Sequence, residues 1–197
     1  MSVSQKQKSI ASLHLAAQER LGLATILEIS TKSMQDVGRR LSAFNMRVSL
    51  LKGGLSTVES AYQGAKVFTG GGPYVELVHA DARTARTDER LRTSGKLLRF
   101  ELEGALWPLE PPTAFYDWLY LSALACDPEL AQEVMRFDAF TDIEFNPERS
   151  LNCQARSAAL YCSLVKSDQI EEAMSSPAHF REALRGEAHG ILQAPLI

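Results

Sequence analysis

With 197 residues, 23% of them charged and 45% hydrophobic, the chain is long enough for one well-cored domain, and no composition break argues for two. A formal net charge of -3 excludes a global attraction to nucleic acid or to an acidic membrane surface, leaving only local basic patches to supply one. Cys126, Cys153 and Cys162 are odd in number and lack a CxxC, and the four histidines are widely spaced, so neither a disulfide framework nor a metal site is expected.

The amino end, MSVSQKQKSIASLHLAAQ, contains no apolar run of signal-peptide length. Nothing later approaches the roughly 18 apolar residues of a membrane span, so a cytoplasmic protein without membrane contact is expected. Ile10, Leu13, Ala17 and Leu21 recur at helical spacing until Gly22 breaks the run, and ATILEIS then reads as a strand at 24–30. SMQDVGRRL suggests a short helix and MRVSLL a second strand, closed by Gly53 and Gly54. Ser56 or Thr57 can cap a helix running to about Phe68, which the glycine run at 70–72 stops.

YVELVHA reads as a strand, ARTARTDERLRTSG as a helix ending at Gly95, and KLLRFELEG as a strand ending at Gly104. Pro111 and Pro112 force an extended or turning segment, after which Thr113 caps the apolar helix AFYDWLYLSAL, and Asp127-Pro128 opens another. DIEF reads as extended, with Asp142 and Glu144 on one side and Ile143 and Phe145 on the other. Asn152 is then placed to cap the helix CQARSAALY, and two tail helices follow, the last ending at Gly186. Together these elements predict one compact, helix-rich α+β domain with a small sheet, its residues 1–8 and 187–197 flexible.

Several clusters carry chemistry. On the helix after Thr57, Val58, Ala61, Tyr62, Ala65 and Phe68 share an apolar face, while Glu59, Gln63 and Lys66 fall at i, i+4 and i+7 on the adjacent face, either as a ligand wall or as an ordinary polar edge. The run Gly70, Gly71, Gly72 offers backbone donors to a phosphate, or else simply turns the chain. Arg83, Arg86 and Arg90 share a face of the next predicted helix and suit nucleic-acid phosphates, with a solvated, ion-paired surface as the alternative. Phe115 and Leu119 are expected in the core, whereas Trp118 beside Asp117 can pack there or stack on a base. Asp142 and Glu144 either face a cleft or pair with Arg149 and Arg156 in a loop.

Read together, LSAFN at 41–45, VESAYQGAKVFTGGGPY at 58–74, WPLEPPTAFYDWLY at 107–120 and FTDIEFNPERSLNCQARSAAL at 140–160 resemble the NADAR family. The resemblance is specifically to its branch of antitoxins found beside DarT-type DNA ADP-ribosyltransferase toxins, over most of the chain from SQKQKS to YCSL. The resemblance implies a helix-rich fold with an ADP-ribose pocket, and hydrolysis of the N-glycosidic link between ADP-ribose and the amino group of guanine in DNA. It implies a DarT-like toxin as partner and no cofactor.

The resemblance also matches Glu59, Gln63 and Lys66 to the Glu-x-x-x-Gln-x-x-Lys helix that lines the family's pocket, and Asp117-Trp118 to its Asp-Trp pair. Ser42, Asn45, Gly71, Gly72, Tyr74, Trp118 and Asn152 join Gln63 and Lys66 as expected substrate-binding residues. The Trp-Gly-rich loop of the wider family is absent, and FTDIEFNPERS stands in its place. Asp142 is therefore the favoured second acid beside Glu59, with Glu144 as the fallback. Two acids suffice for glycosidic cleavage; alternatively a lysine, Lys32 or Lys66, attacks the anomeric carbon to give a ring-opened Schiff base. The competing reading is a module that binds ADP-ribose or nucleic acid without turning it over and neutralises a toxin by contact.

Overall fold

The computed structural model describes residues 2–146, 148 and 150–191. Helix α1 (Val3–Leu21) starts where the Ser2 hydroxyl accepts from the Gln5 N–H, and it stops at Gly22, whose left-handed φ of 65° lets its own N–H close on the Gln18 carbonyl. Residues 3–8, expected to be flexible, form its first turns. Ile10 is the buried residue of this helix, and Lys6, His14 and Gln18 tie it to Glu144, Thr141 and the Ala24 carbonyl.

Strand β1 (Ile26–Glu28) pairs in parallel with β7 (Ala139–Thr141), placing Glu28 opposite Thr141. Helix α2 (Asp36–Arg40) leads to the hairpin of β2 (Arg47–Ser49) and β3 (Leu55–Thr57), turned at Gly53 and Gly54. Thr57 then caps α3 (Val58–Gly64), its hydroxyl accepting from the Ser60 N–H at 3.0 Å.

Helix α3 ends four residues earlier than its spacing predicts. Lys66–Phe68 form β4, which pairs with β5 (Leu97–Leu102), which in turn pairs with β6 (Ala105–Trp107). Tertiary pairing overrides helical periodicity there, and Gly64 makes the junction tight: a Cβ on it would lie 2.6 Å from the Val78 side chain. That neighbour belongs to α4 (Val75–Val78), a single helical turn where the alternation of YVELVHA predicts a strand. The expected helix over 82–95 is also broken in two. Its halves, α5 (Ala82–Thr87) and α6 (Arg90–Thr93), are separated at Asp88, whose carboxylate accepts from the Arg90 backbone and side chain.

The core is built on α7 (Ala114–Ala125), whose Phe115, Leu119, Tyr120, Leu121 and Leu124 pack against Leu27, Ile29, Trp107 and Leu164. Each such side chain contributes about 1.5–3 kcal/mol on burial. Thr113 precedes α7 with φ 68° and does not cap it; its hydroxyl donates to Asp117 instead. Asp127 and Pro128 open α8 (Pro128–Val134) as expected, Asp127 accepting from the Leu130 N–H. After β7 come α9 (Gln154–Lys166), with Cys153 rather than Asn152 in the cap position, then α10 (Ile170–Met174) and α11 (Pro177–Ile191), which runs past Gly186. Arg149 lies outside the described residues.

Candidate active site

A cavity of about 920 Å³ opens between α3, the α5–α6 segment, the proline-rich loop 108–113 and residues 142–146 and 150–154. Its floor on one side is α3. Glu59 and Gln63 are buried there, and Gln63 Nε2 donates to Glu59 Oε1 at 2.9 Å. Lys66 begins β4 and still reaches this group; its ammonium donates to Gln63 Oε1 at 2.7 Å. Burial lowers the Lys66 amine to about 8, Glu59 opposing that shift and Arg86 adding to it. Arg86 turns inward from α5, 3.7 Å from Glu59 Oε1, and its guanidinium lies 5.5 Å from the ring centre of Phe44.

The facing wall is not the extended strand that DIEF suggests. Phe145 N–H donates to the Asp142 carbonyl at 3.2 Å, so residues 142–145 form a turn and the two acids diverge. Asp142 accepts from Gln154 Nε2 at 3.1 Å, from the Gln154 N–H at 3.3 Å and from the Glu144 N–H at 3.0 Å. Burial pushes its carboxyl up, with those donors pulling down and the Glu28 charge adding to the rise. Glu144 goes the other way. Burial works against its charge, yet Lys6 at 2.9 Å and the Thr31 hydroxyl at 3.1 Å hold it below the usual glutamate range. Two neighbouring acids whose environments separate their titration are suited to different roles.

A short path joins the walls. Gln154 Oε1 accepts from the Ala43 N–H at 2.6 Å, and the Ala43 carbonyl accepts from the Glu59 N–H at 3.0 Å, so Asp142, Gln154, Ala43 and Glu59 are linked in sequence. Gln154, Phe44 and Glu28 also belong to these walls or hold them, and residue spacing singles out none of the three. A glutamate inside the apolar run ATILEIS was the available signal for the last, which is 2% exposed.

Of the expected site residues, Glu59, Gln63, Lys66, Asp142, Glu144, Asn152 and Arg86 line this cavity. Others lie elsewhere. Ser42 is buried with its hydroxyl unpaired, and Asn45 is exposed and donates to the Arg39 carbonyl; Ala43 and Phe44, between them, line the cavity instead. Trp118 packs between Trp107, at 5.4 Å between ring centres, and Phe180, at 5.5 Å. Gly71 and Gly72 shape a turn against β4, where a Cβ on Gly72 would fall 2.2 Å from the Lys66 carbonyl, and the Gly70 N–H is taken by the Ser94 carbonyl. Tyr74 lies beside them, its hydroxyl paired with Ser94 and its ring under Arg90.

The expected arginine face does not form, because Arg90 sits on α6 and is paired with Asp88 and Glu76, while Arg83 stays exposed on α5. Lys32 donates to the Thr31 hydroxyl at 2.9 Å, behind Glu144. Arg156, a potential partner for the loop acids, pairs at 2.7 Å with Asp117, which is buried and also accepts from Ser157 and Thr113. Asp138 binds the backbone of Ala24 and Thr25 at the mouth of β1.

The arrangement is that of a helix-rich α+β domain holding a cavity of about 920 Å³ with acids on facing walls. The chain belongs to the NADAR-DarT1 family, described as DarT1-associated NADAR antitoxins, which matches residues 1–190. No curated protein sequence matches it significantly. Among the described residues, no helix is long and apolar enough to cross a membrane.

Proposed function

We propose that this antitoxin is a cytoplasmic hydrolase that cleaves the N-glycosidic bond between ADP-ribose and the guanine amino group in DNA, undoing the mark of a DarT-type toxin. The observation that carries the reading is one cavity with Glu59 on one wall and Asp142 on the other. A volume of about 920 Å³ lies near the upper end for small-molecule sites, suiting a dinucleotide-sized ligand such as ADP-ribose more than a mononucleotide. Glu59 stabilises the positive charge that grows on the ribose and orients water; the carbon–nitrogen bond breaks, and Asp142, kept toward its protonated form, gives its proton to the departing amine. Water supplies the hydroxyl on the anomeric carbon, and its remaining proton restores the acid.

Phe44 offers a flat face for the leaving base, while Arg86, Arg92 and Lys66 supply positive charge for its acceptor atoms and for the diphosphate. Exposed Arg83 gives the DNA strand a salt-dependent contact. The test is incubation with an oligonucleotide carrying ADP-ribosylated guanine. Mass spectrometry should find free ADP-ribose and an intact base; folded protein that releases neither overturns the reading.

The state of Lys66 favours a second route. An amine lowered to about 8 is partly neutral near physiological pH and can attack the anomeric carbon, expelling guanine and leaving a Schiff base that water later hydrolyses. Borohydride trapping during turnover, with peptide mapping, distinguishes Lys66 from Lys32; no trapped adduct removes the route.

A further inference from the structure

Glu28 is a buried carboxylate for which the proposed chemistry has no task. It lies 2% exposed at the end of β1, beside the core residue Leu27. Burying a carboxylate costs several kcal/mol unless its oxygens are satisfied, so a residue with only a packing role in this strand would be apolar. Both of its oxygens accept from one short segment. Oε2 takes the Thr141 hydroxyl at 2.5 Å, and Oε1 takes the Ile143 N–H at 2.9 Å. Those two residues bracket Asp142. The register of the sheet explains the grip: Glu28 faces Thr141 on the last rung of the pair, where β7 ends and the chain turns into the cavity.

We propose that Glu28 is a positioning residue for the reaction, clamping the chain on both sides of Asp142 and so holding that carboxyl against the substrate cavity. The proposal rests on Asp142 being the acid of the hydrolysis described above. The clamp extends outward. Thr141 gives its single hydroxyl proton to Glu28, so its oxygen is left to accept from His14 Nε2 at 2.9 Å, which fixes the Nε2–H tautomer and docks α1 on the same segment.

The clamp also has an electrostatic side. The groups facing Asp142 are Glu28 from β1, Glu144 from its own turn, Tyr116 and Tyr120 from α7, and Cys153 at the start of α9. Burial raises both tyrosines and Cys153, which keeps them neutral near pH 7, and Glu28 is the group whose charge adds to the rise at Asp142. Glu28 thus favours the protonated Asp142 that the departing base needs.

Two substitutions separate grip from charge. Glu28→Ala removes both anchors, and kcat should fall about 10-fold to 100-fold while the Kd for free ADP-ribose changes less than about twofold. Glu28→Gln keeps an acceptor for Ile143, so it should recover most of kcat at the optimum. With the charge gone, its activity should fall off at lower pH on the alkaline side than in the wild type. Placed on Asp142→Asn, Glu28→Ala should add nothing; a full multiplicative loss, or an unchanged kcat in the single variant, overturns the proposal.

If Glu28→Ala does not fold, Thr141→Val removes one anchor at constant shape, and kcat should still fall; unchanged kcat there has the same overturning force. Hydrogen exchange at the Ile143 amide provides a readout free of turnover. It should speed up at least tenfold in Glu28→Ala, which removes the acceptor of that amide, and change less in Glu28→Gln, which keeps one. If the wild type released no ADP-ribose, the proposed function would fail by itself, and unchanged Ile143 exchange in Glu28→Ala would still sink the clamp.

Discussion

The two walls of the cavity present their acids by opposite means. On the α3 wall, Glu59, Gln63 and Lys66 come from eight consecutive residues, and the bonds that fix them span four and three positions. On the facing wall, Asp142 depends on Gln154, twelve residues on, while Glu144 depends on Lys6, 138 residues back, and Thr31, 113 back. One wall is encoded locally and the other is assembled by the whole fold. Distant damage should therefore spare the geometry of Glu59 and disturb that of Asp142.

The largest expected effects test whether both walls do chemistry. Glu59→Gln and Asp142→Asn should each lower kcat by about 10²-fold to 10⁴-fold while free ADP-ribose still binds within a few-fold of wild type. Turnover of the modified oligonucleotide and calorimetric binding measure the two quantities. Unchanged turnover in either variant removes that residue from the mechanism, and a wild type that binds without turnover returns the protein to the contact-neutralising reading.

Next in size is Trp118, whose neighbours are Trp107 and Phe180. Trp118→Ala should destabilise the fold by about 3 kcal/mol, the low end for a core aromatic because one side is partly exposed. Denaturant unfolding measures that loss. The folded fraction should keep its KM; a raised KM at unchanged stability would put the indole on the substrate after all.

Gln154 is where the walls meet, since it holds Asp142 with its nitrogen and Ala43, hence the Glu59 backbone, with its oxygen. Gln154→Ala leaves the Ala43 N–H without its acceptor, at about 1–3 kcal/mol, and frees one side of Asp142. Activity should drop about tenfold, because a carboxyl displaced by a fraction of an ångström transfers its proton poorly. Equal kcat with normal unfolding would mean that the walls are held independently.

This contrast also explains what the sequence discloses. The Thr57 cap and the Glu59, Gln63, Lys66 spacing are local, so they were legible even though Lys66 sits on a strand instead of the helix. The break at Asp88 that divides Arg86 from Arg90 depends on the Asp88 carboxylate accepting from the Arg90 backbone and side chain two residues on, which helical spacing does not show. Trp118 reads the same whether it packs in a core or stacks on a base. Asp142 and Glu144 look equivalent at i and i+2; burial, with the Glu28 charge adding to it, makes Asp142 tend toward protonation, while Lys6 and Thr31, more than a hundred residues away, hold Glu144 toward charge against its burial.

The smallest effect bears on that last distinction. Lys6 and Glu144 are each about a quarter exposed, so Lys6→Ala should cost at most about 1 kcal/mol at neutral pH. The folded-state pKa of Glu144 lies below its ordinary value, so the stability it contributes is present above that ordinary value and lost as pH falls through the lowered one. Urea unfolding of wild type and variant should therefore differ at pH 7 and converge in acid. Turnover should change less than about threefold, because a charged Glu144 has no proton to give the departing base. A loss as deep as that of Asp142→Asn would transfer the role of second acid to Glu144 and make α1, through Lys6, part of the catalytic wall.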